Sequence, residues 1–329
     1  MLRSHLESIL NGDPAASPLG GAHKLGAPYS SHRAPQRVCL RCFLRLRPCW
    51  QPFGSSCGEQ GSGFRQKSIM RRTKQLATDS SPQGIFVTAT DTGVGKTLVA
   101  SALVVRLIQR GIDVGVMKPI ETGVSRATKA QSDGVRLRRA AGSQDSLAEV
   151  CSYVFRLPVA PLSAARADRT TVQIATIMRA FRALSQKHTF MVVEGVGGVQ
   201  VPITQQLNIS DLIHRTKLQA IVIGRSGLGG INQALLTLHA LRRRKIPVAA
   251  LVLNQCRPVR TKIARVQEQS TVRLLRRLVG VPMVGPLPYS PSVNRNWHDE
   301  MVRLAGTAPI MKLARLILGS GRGTPSRRR

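Results

Sequence analysis

From residue 84 onward, short apolar runs alternate with stretches in which apolar residues recur every three or four positions. The runs predict strands over 85–89, 114–118, 190–194, 220–224 and 248–254. Each is almost continuously Val, Ile, Leu, Ala or Phe, the pattern of a strand buried on both faces. The periodic stretches predict helices over 96–110, 133–141, 172–186, 231–244 and 263–278, with one more run after Thr307. Strand–helix alternation calls for right-handed crossovers, so the expected fold class is α/β: a doubly wound, mostly parallel sheet. There is no internal repeat.

Residues 1–82 lack this order. They are rich in Pro, Gly, Ser, Cys and Arg, as in HRAPQRVCLRCFLRLRPCW. They read as a disordered extension, or as sequence upstream of a true start at Met70, with a transit peptide less well supported. The expected division is therefore an extension over 1–82, one α/β domain over 83–318 and a basic tail over 319–329. Cys39, Cys42, Cys49 and Cys57 lie in the extension. Four thiolates could hold zinc, but only Cys39 and Cys42 have the short spacing such sites use.

Composition narrows the function. Aromatic residues are 4% of the chain and hydrophobic residues 42%, which suits an aliphatic parallel-sheet core better than an aromatic base-stacking surface. The formal charge of +33 attracts anions in general. No helix-turn-helix, zinc-finger or aromatic RNA-binding pattern accompanies it, so specific nucleic-acid binding is not expected. No secretory signal opens the chain, and no apolar run reaches the roughly 18 residues of a membrane span. A reducing cytoplasm is the expected setting.

The strongest motif is IFVTATDTGVGKT, residues 85–97. An apolar strand runs into a polar turn with Gly93 and Gly95, then Lys96, Thr97 and an amphipathic helix. Such a strand–loop–helix unit is a P-loop. Glycine lets backbone N–H groups approach a phosphate, and the helix offers its positive end. Lys96 supplies a mobile charge and Thr97 a hydroxyl for Mg²⁺. The first glycine of the usual G-x-x-x-x-G-K-T is missing, because Thr90 stands there.

T-D-T-G-V-G-K-T resembles the modified phosphate loop of the dethiobiotin synthetase family, which carries glycine where this chain has Ala89. Chromosome-partitioning ATPases place a lysine where this chain has Asp91. Further segments extend the resemblance in order over residues 84–289. MKPIETG resembles K-P-x-x-[ST]-G, QSDG the family's S-D, VEGVGG its V-E-G-A-G-G, and RSGLGGINQ its substrate helix. Taken alone, Asp133 reads as a helix cap, whereas Glu194, at a buried strand end among glycines, calls for a cation partner.

The resemblance implies ATP as co-substrate and Mg²⁺ as cofactor, with Lys96 and Lys118 as catalytic cations. It implies ATP contacts from Asp91, Thr92, Gly93, Val94, Gly95, Lys96 and Thr97, from Asn254 at the adenine, and from Pro286, Leu287 and Pro288 in a later adenine-side loop. Thr97, Asp133 and Glu194 would hold the metal. Thr122, Gly195 and Val196 would contact the diamine, the glycine segment through backbone N–H groups. Gly229, Gly230, Ile231 and Asn232 would hold its carboxylate across a homodimer interface. The implied reaction closes a cyclic urea from 7,8-diaminopelargonate and CO₂. Two alternatives remain: a related amide-forming synthetase, for whose glutaminase domain the chain is too short, and a basic ATPase switch on nucleic acid, which only the net charge favours.

Overall fold

The computed structural model describes residues 83–293 and 295–319. The expectations for residues 1–82, including the start at Met70 and the four clustered cysteines, and for residues 320–329 lie outside that range. In chain order the elements are β1 (Gly84–Ala89), α1 (Lys96–Ile108), β2 (Val114–Met117), β3 (Ile120–Thr122), α2 (Asp133–Ala140), α3 (Leu147–Val150), β4 (Tyr153–Phe155), α4 (Pro161–Ala167), α5 (Ile174–Lys187), β5 (Phe190–Glu194), α6 (Ile209–Thr216), β6 (Gln219–Arg225), α7 (Gly230–Arg243), β7 (Val248–Asn254), α8 (Lys262–Leu278), β8 (Met283–Leu287), α9 (Trp297–Ala305) and α10 (Ala308–Gly319).

Six strands form one parallel sheet in the order β2-β5-β1-β6-β7-β8, and β3 pairs with β4 in a small parallel ribbon. Helices cover both faces, as the apolar runs require. Ile85, Val87 and Ala89 of β1 face a core built with Leu103 and Leu107 of α1, Leu304 of α9 and Leu313 of α10. Phe86, on the opposite face, joins Ile177 and Phe181 of α5, Ile213 of α6 and Leu241 of α7. Alternate side chains of one strand thus feed two cores, the doubly wound architecture expected. Two of the expected strands, 190–194 and 248–254, have the observed bounds, and the others differ by one residue at one or both ends.

The topology places the functional chemistry. β1 is central, so the turn after it opens above the middle of the sheet, flanked by the carboxyl ends of β2, β5, β6 and β7. Ligands of open α/β sheets bind at that edge.

Candidate active site

The turn after β1 folds so that Gly95 caps α1 in the left-handed region, at φ 99°. A Cβ at that position would lie 2.4 Å from Asn254 Nδ2. The close approach has a purpose: Asn254, at the end of β7, donates to the Val94 carbonyl at 3.0 Å and ties the loop to the sheet. The missing first glycine causes no strain, since neither Ala89 nor Thr90 has a positive φ. Thr90 instead donates its N–H to the Ile223 carbonyl at 2.9 Å.

Three strand ends deliver charge beside this loop. Lys118, directly after β2, is 2% exposed, and Glu194, the last residue of β5, is fully buried. Lys118 Nζ lies 2.6 Å from Glu194 Oε1 and 2.8 Å from Asp133 Oδ2. Thr97 donates to the same Glu194 oxygen at 2.8 Å. Glu121, next to Thr122 on β3, accepts the backbone N–H groups of Asp133 and Gly134 at 2.5 and 3.1 Å. It therefore satisfies the exposed donors at the start of α2 and fixes Asp133 in place.

Burial sets the electrostatics of these groups. It pushes the Lys96 ammonium down to about 8, helped by the neighbouring Lys118. Burial also opposes charge on Lys118, but Glu194 and Asp133 outweigh it and hold the ammonium above its ordinary range. Asp133 is likewise disfavoured by burial, yet Lys118 keeps it below the usual carboxylate range. Burial, then repulsion from Asp133, raises Glu194. Two carboxylates thus share one buried cation, and the second Glu194 oxygen, Oε2, is buried without a hydrogen-bond partner. A carboxylate oxygen unpaired among the described residues, beside a hydroxyl and a second carboxylate, suits a hard divalent cation such as Mg²⁺.

A cavity of about 530 Å³ connects these groups. It is lined by Thr92, Gly93, Gly95, Lys96 and Thr97 of the loop, and by Lys118, Thr122, Asp133, Glu194, Val196, Asn254 and Pro288. The remaining expected site residues lie elsewhere. Asp91 points away from the cavity to Arg225 at 2.9 Å and Gln233 at 3.2 Å. Val94 is buried in the core. Pro286 and Leu287 do not form a loop but end strand β8, with Leu287 fully buried, because the apolar pattern continues the sheet there. Gly195 offers no N–H to a ligand, since that group is bonded to the Val87 carbonyl at 2.9 Å; its own carbonyl accepts from Lys118 at 3.2 Å. Gly229, with φ 83°, caps α7, and Gly230, Ile231 and Asn232 open that helix, outside this cavity.

An AAA domain family description matches residues 83–296. The ATP-dependent dethiobiotin synthetase of Thermodesulfovibrio yellowstonii is 40% identical over 226 residues, which are 66% of this chain and 93% of that protein. The chain belongs to the dethiobiotin synthetase family. A second dethiobiotin synthetase, from Anaeromyxobacter dehalogenans, is 40% identical over 213 residues, covering 65% of this chain and 93% of the relative. In fold, the chain is similar to the MinD cell division protein of Aquifex aeolicus, with TM-score 0.44 and 15% identity over 75% of this chain and 100% of the other. The dethiobiotin synthetase relatives do not favour the nucleic-acid switch or the amide-forming alternative.

Sequence reasoning missed several groups that this synthetase-family cavity contains: Glu121, Arg136, Gln255, Tyr289, Ser290 and Trp297. Two left a signal. Glu121 sits within MKPIETG, and Arg136 follows Asp133 by three residues, hence on one helix face. Trp297 reaches the cavity only through tertiary packing of α9 on α1, which no local pattern announces.

Proposed function

We propose that the chain converts 7,8-diaminopelargonate, CO₂ and ATP into dethiobiotin, ADP and phosphate in this cavity, with Mg²⁺ as cofactor. The observation that carries the reading is the meeting of Lys118, Asp133, Glu194 and Thr97 beside the phosphate loop. A buried cation and paired carboxylates at the phosphoryl end of a nucleotide site suit transfer of the γ-phosphoryl group to an oxygen nucleophile.

One neutral amine of the substrate captures CO₂ as a carbamate. A carbamate oxygen attacks the γ-phosphorus and ADP leaves, giving a carbamic–phosphoric anhydride. The second amine then attacks the carbamoyl carbon, expels phosphate, releases its proton to solvent and closes the ureido ring. Lys96 and Lys118 offset charge on the moving phosphoryl group, and Thr122 and Val196 orient the diamine. Thr97, Asp133 and Glu194 would hold Mg²⁺, which when bound neutralises the phosphate oxygens. The loop residues Thr92, Gly93, Gly95, Lys96 and Thr97 cradle the phosphates, Asp91 and Val94 hold the loop in shape through Arg225 and Asn254, and Asn254 and Pro288 flank the base.

The start of α7, with Gly229, Gly230, Ile231 and exposed Asn232, serves the substrate carboxylate of a second copy in a homodimer. That reading is supported by its position outside its own cavity and by the positive end of a helix. Among the described residues no helix is long and apolar enough to cross a membrane, and Cys151 and Cys256 are free thiols, which suits a reducing cytoplasm.

The test is an assay of the full chain with diaminopelargonate, bicarbonate, Mg²⁺ and ATP. ADP release that depends on the diamine, and an at least ~10²-fold loss of turnover in Lys96→Ala with the fold retained, are expected. ADP release indifferent to the diamine would sink the reading.

A further inference from the structure

Part of the cavity lining is left unused by the reaction scheme. Arg136 lies in α2, three residues after Asp133, and Trp297 opens α9. The Arg136 guanidinium stacks over the Trp297 ring, 4.2 Å from its centroid. Leu98 and Val293 complete this wall. Leu98 directly follows Thr97 in the first turn of α1, so the wall borders the turn that receives the phosphates.

Two features mark the wall as more than packing. Trp297 Nε1 is buried and has no hydrogen-bond partner among the described residues. A buried donor left unmatched costs stability unless something supplies an acceptor. Arg136 has no ion pair with any carboxylate among the described residues, although Asp133 feels its charge at longer range. Of the other lining cations, Lys118 is paired with Glu194 and Asp133, and Lys96 gives one donor to the Asp91 carbonyl at 3.2 Å. Arg136 adds a further charge that no carboxylate among the described residues pairs with. Stacking on an indole face holds a guanidinium without consuming its donors.

We infer that Arg136 and Trp297 form a clamp on the nucleotide's phosphate chain and sugar. Arg136 donates to phosphate oxygens, and the Trp297 indole N–H donates to a phosphate or ribose oxygen beside it. The inference deepens the proposed function by assigning further nucleotide-binding residues. It does not require the ring-closing chemistry.

Tryptophan fluorescence of the full chain tests it, with Trp297→Phe as reference for the signal of Trp50. MgATP and MgADP are expected to change the Trp297 emission, and diaminopelargonate alone to leave it unchanged. Arg136→Ala and the size-matched Arg136→Met should each raise KM for ATP about tenfold, with KM for the diamine within twofold. Arg136→Lys should recover part of the loss, as it restores charge but not planar stacking. Circular dichroism and thermal melting check that each variant folds. The clamp fails if MgATP leaves the Trp297 signal unchanged, or if folded Arg136 variants keep KM for ATP within twofold. It also fails if their defect lies in KM for the diamine. Nucleotide binding that depends on Arg136 in a protein without diamine-dependent turnover would keep the clamp and overturn the proposed reaction. Normal turnover with Arg136 silent would do the reverse.

Discussion

Glu194 and Lys118, held 2.6 Å apart and both out of solvent, join the carboxyl ends of two neighbouring strands into one charged unit. Removing one partner of a buried pair strands the other charge, at a cost of roughly 3–5 kcal/mol. Lys118→Met should therefore lower the unfolding free energy substantially and reduce turnover by about 10²–10³. The double variant Lys118→Met/Glu194→Gln should recover much of the stability and none of the activity. Denaturant unfolding read as a double-mutant cycle checks this. Additive stability losses would mean that the pair is not coupled.

Glu194→Gln alone separates the metal from the fold. The amide oxygen can still accept from Thr97, so the domain should remain folded. The Mg²⁺ concentration for half-maximal activity should rise by about tenfold or more, the scale of a weakened metal shell. Activity measured across a Mg²⁺ series decides; an unchanged Mg²⁺ dependence counts against Glu194 as ligand.

Gly95→Ala tests whether the loop geometry or the loop charge dominates. The new Cβ would meet Asn254 Nδ2 at 2.4 Å in a backbone at φ 99°. Either relief, moving Asn254 or distorting the turn, breaks the tie to Val94. The expected result is a stability loss above about 1 kcal/mol together with loss of MgATP binding. Gly142→Ala, at φ +57° with nothing within 4 Å, carries the backbone cost without the collision and should leave binding intact. Calorimetric titration of both variants separates the two; equal affinities would show that the close approach to Asn254 is immaterial.

Much of this was legible in the chain because the signals are local. Continuous apolar runs gave the strands of the main sheet other than β8, since burial on both faces leaves no polar alternation to confuse. The phosphate loop was legible from its strand–glycine–helix context, and Glu194 because a charge ending an apolar run needs a cation or ligand to justify its burial. What escaped depends on tertiary contacts. β3 and β4 are three residues each, too short for a periodic signal, and β8 contains Gly285 and Pro286, which read as a turn. The resemblance assigns the backbone N–H of Gly195 to a ligand, and nothing local in the sequence reveals its bond to the Val87 carbonyl. Trp297 is far in sequence from Arg136, and only the packing of α2 and α9 on α1 brings them together.

His188 provides a pH test away from the active site. Its Nδ1 lies 2.8 Å from Asp113 and its Nε2 2.9 Å from Asp145, joining the end of α5 to the segments before β2 and α3. Burial opposes the charged ring, but the two aspartates outweigh it and raise its pKa above the ordinary value of 6.5. Asp145 is held below the usual carboxylate range against the opposing effect of burial, by Ser143, His188 and Lys187. A folded-state pKa above the unfolded one means that the charged ring stabilises the protein below about pH 6.5. That contribution is lost as pH rises through the folded value. His188→Gln should therefore be less stable than the parent at pH 6 by about 1 kcal/mol, a melting difference of roughly 2–4 °C. The gap should narrow at pH 9 relative to pH 6, as rising pH takes the proton from the parent ring. Melting curves of both proteins at the two pH values measure it. A gap that stays constant or widens with pH would show that the ring acts by packing against Gly115, whose added Cβ would lie 2.6 Å from His188 Cδ2, and not through its charge.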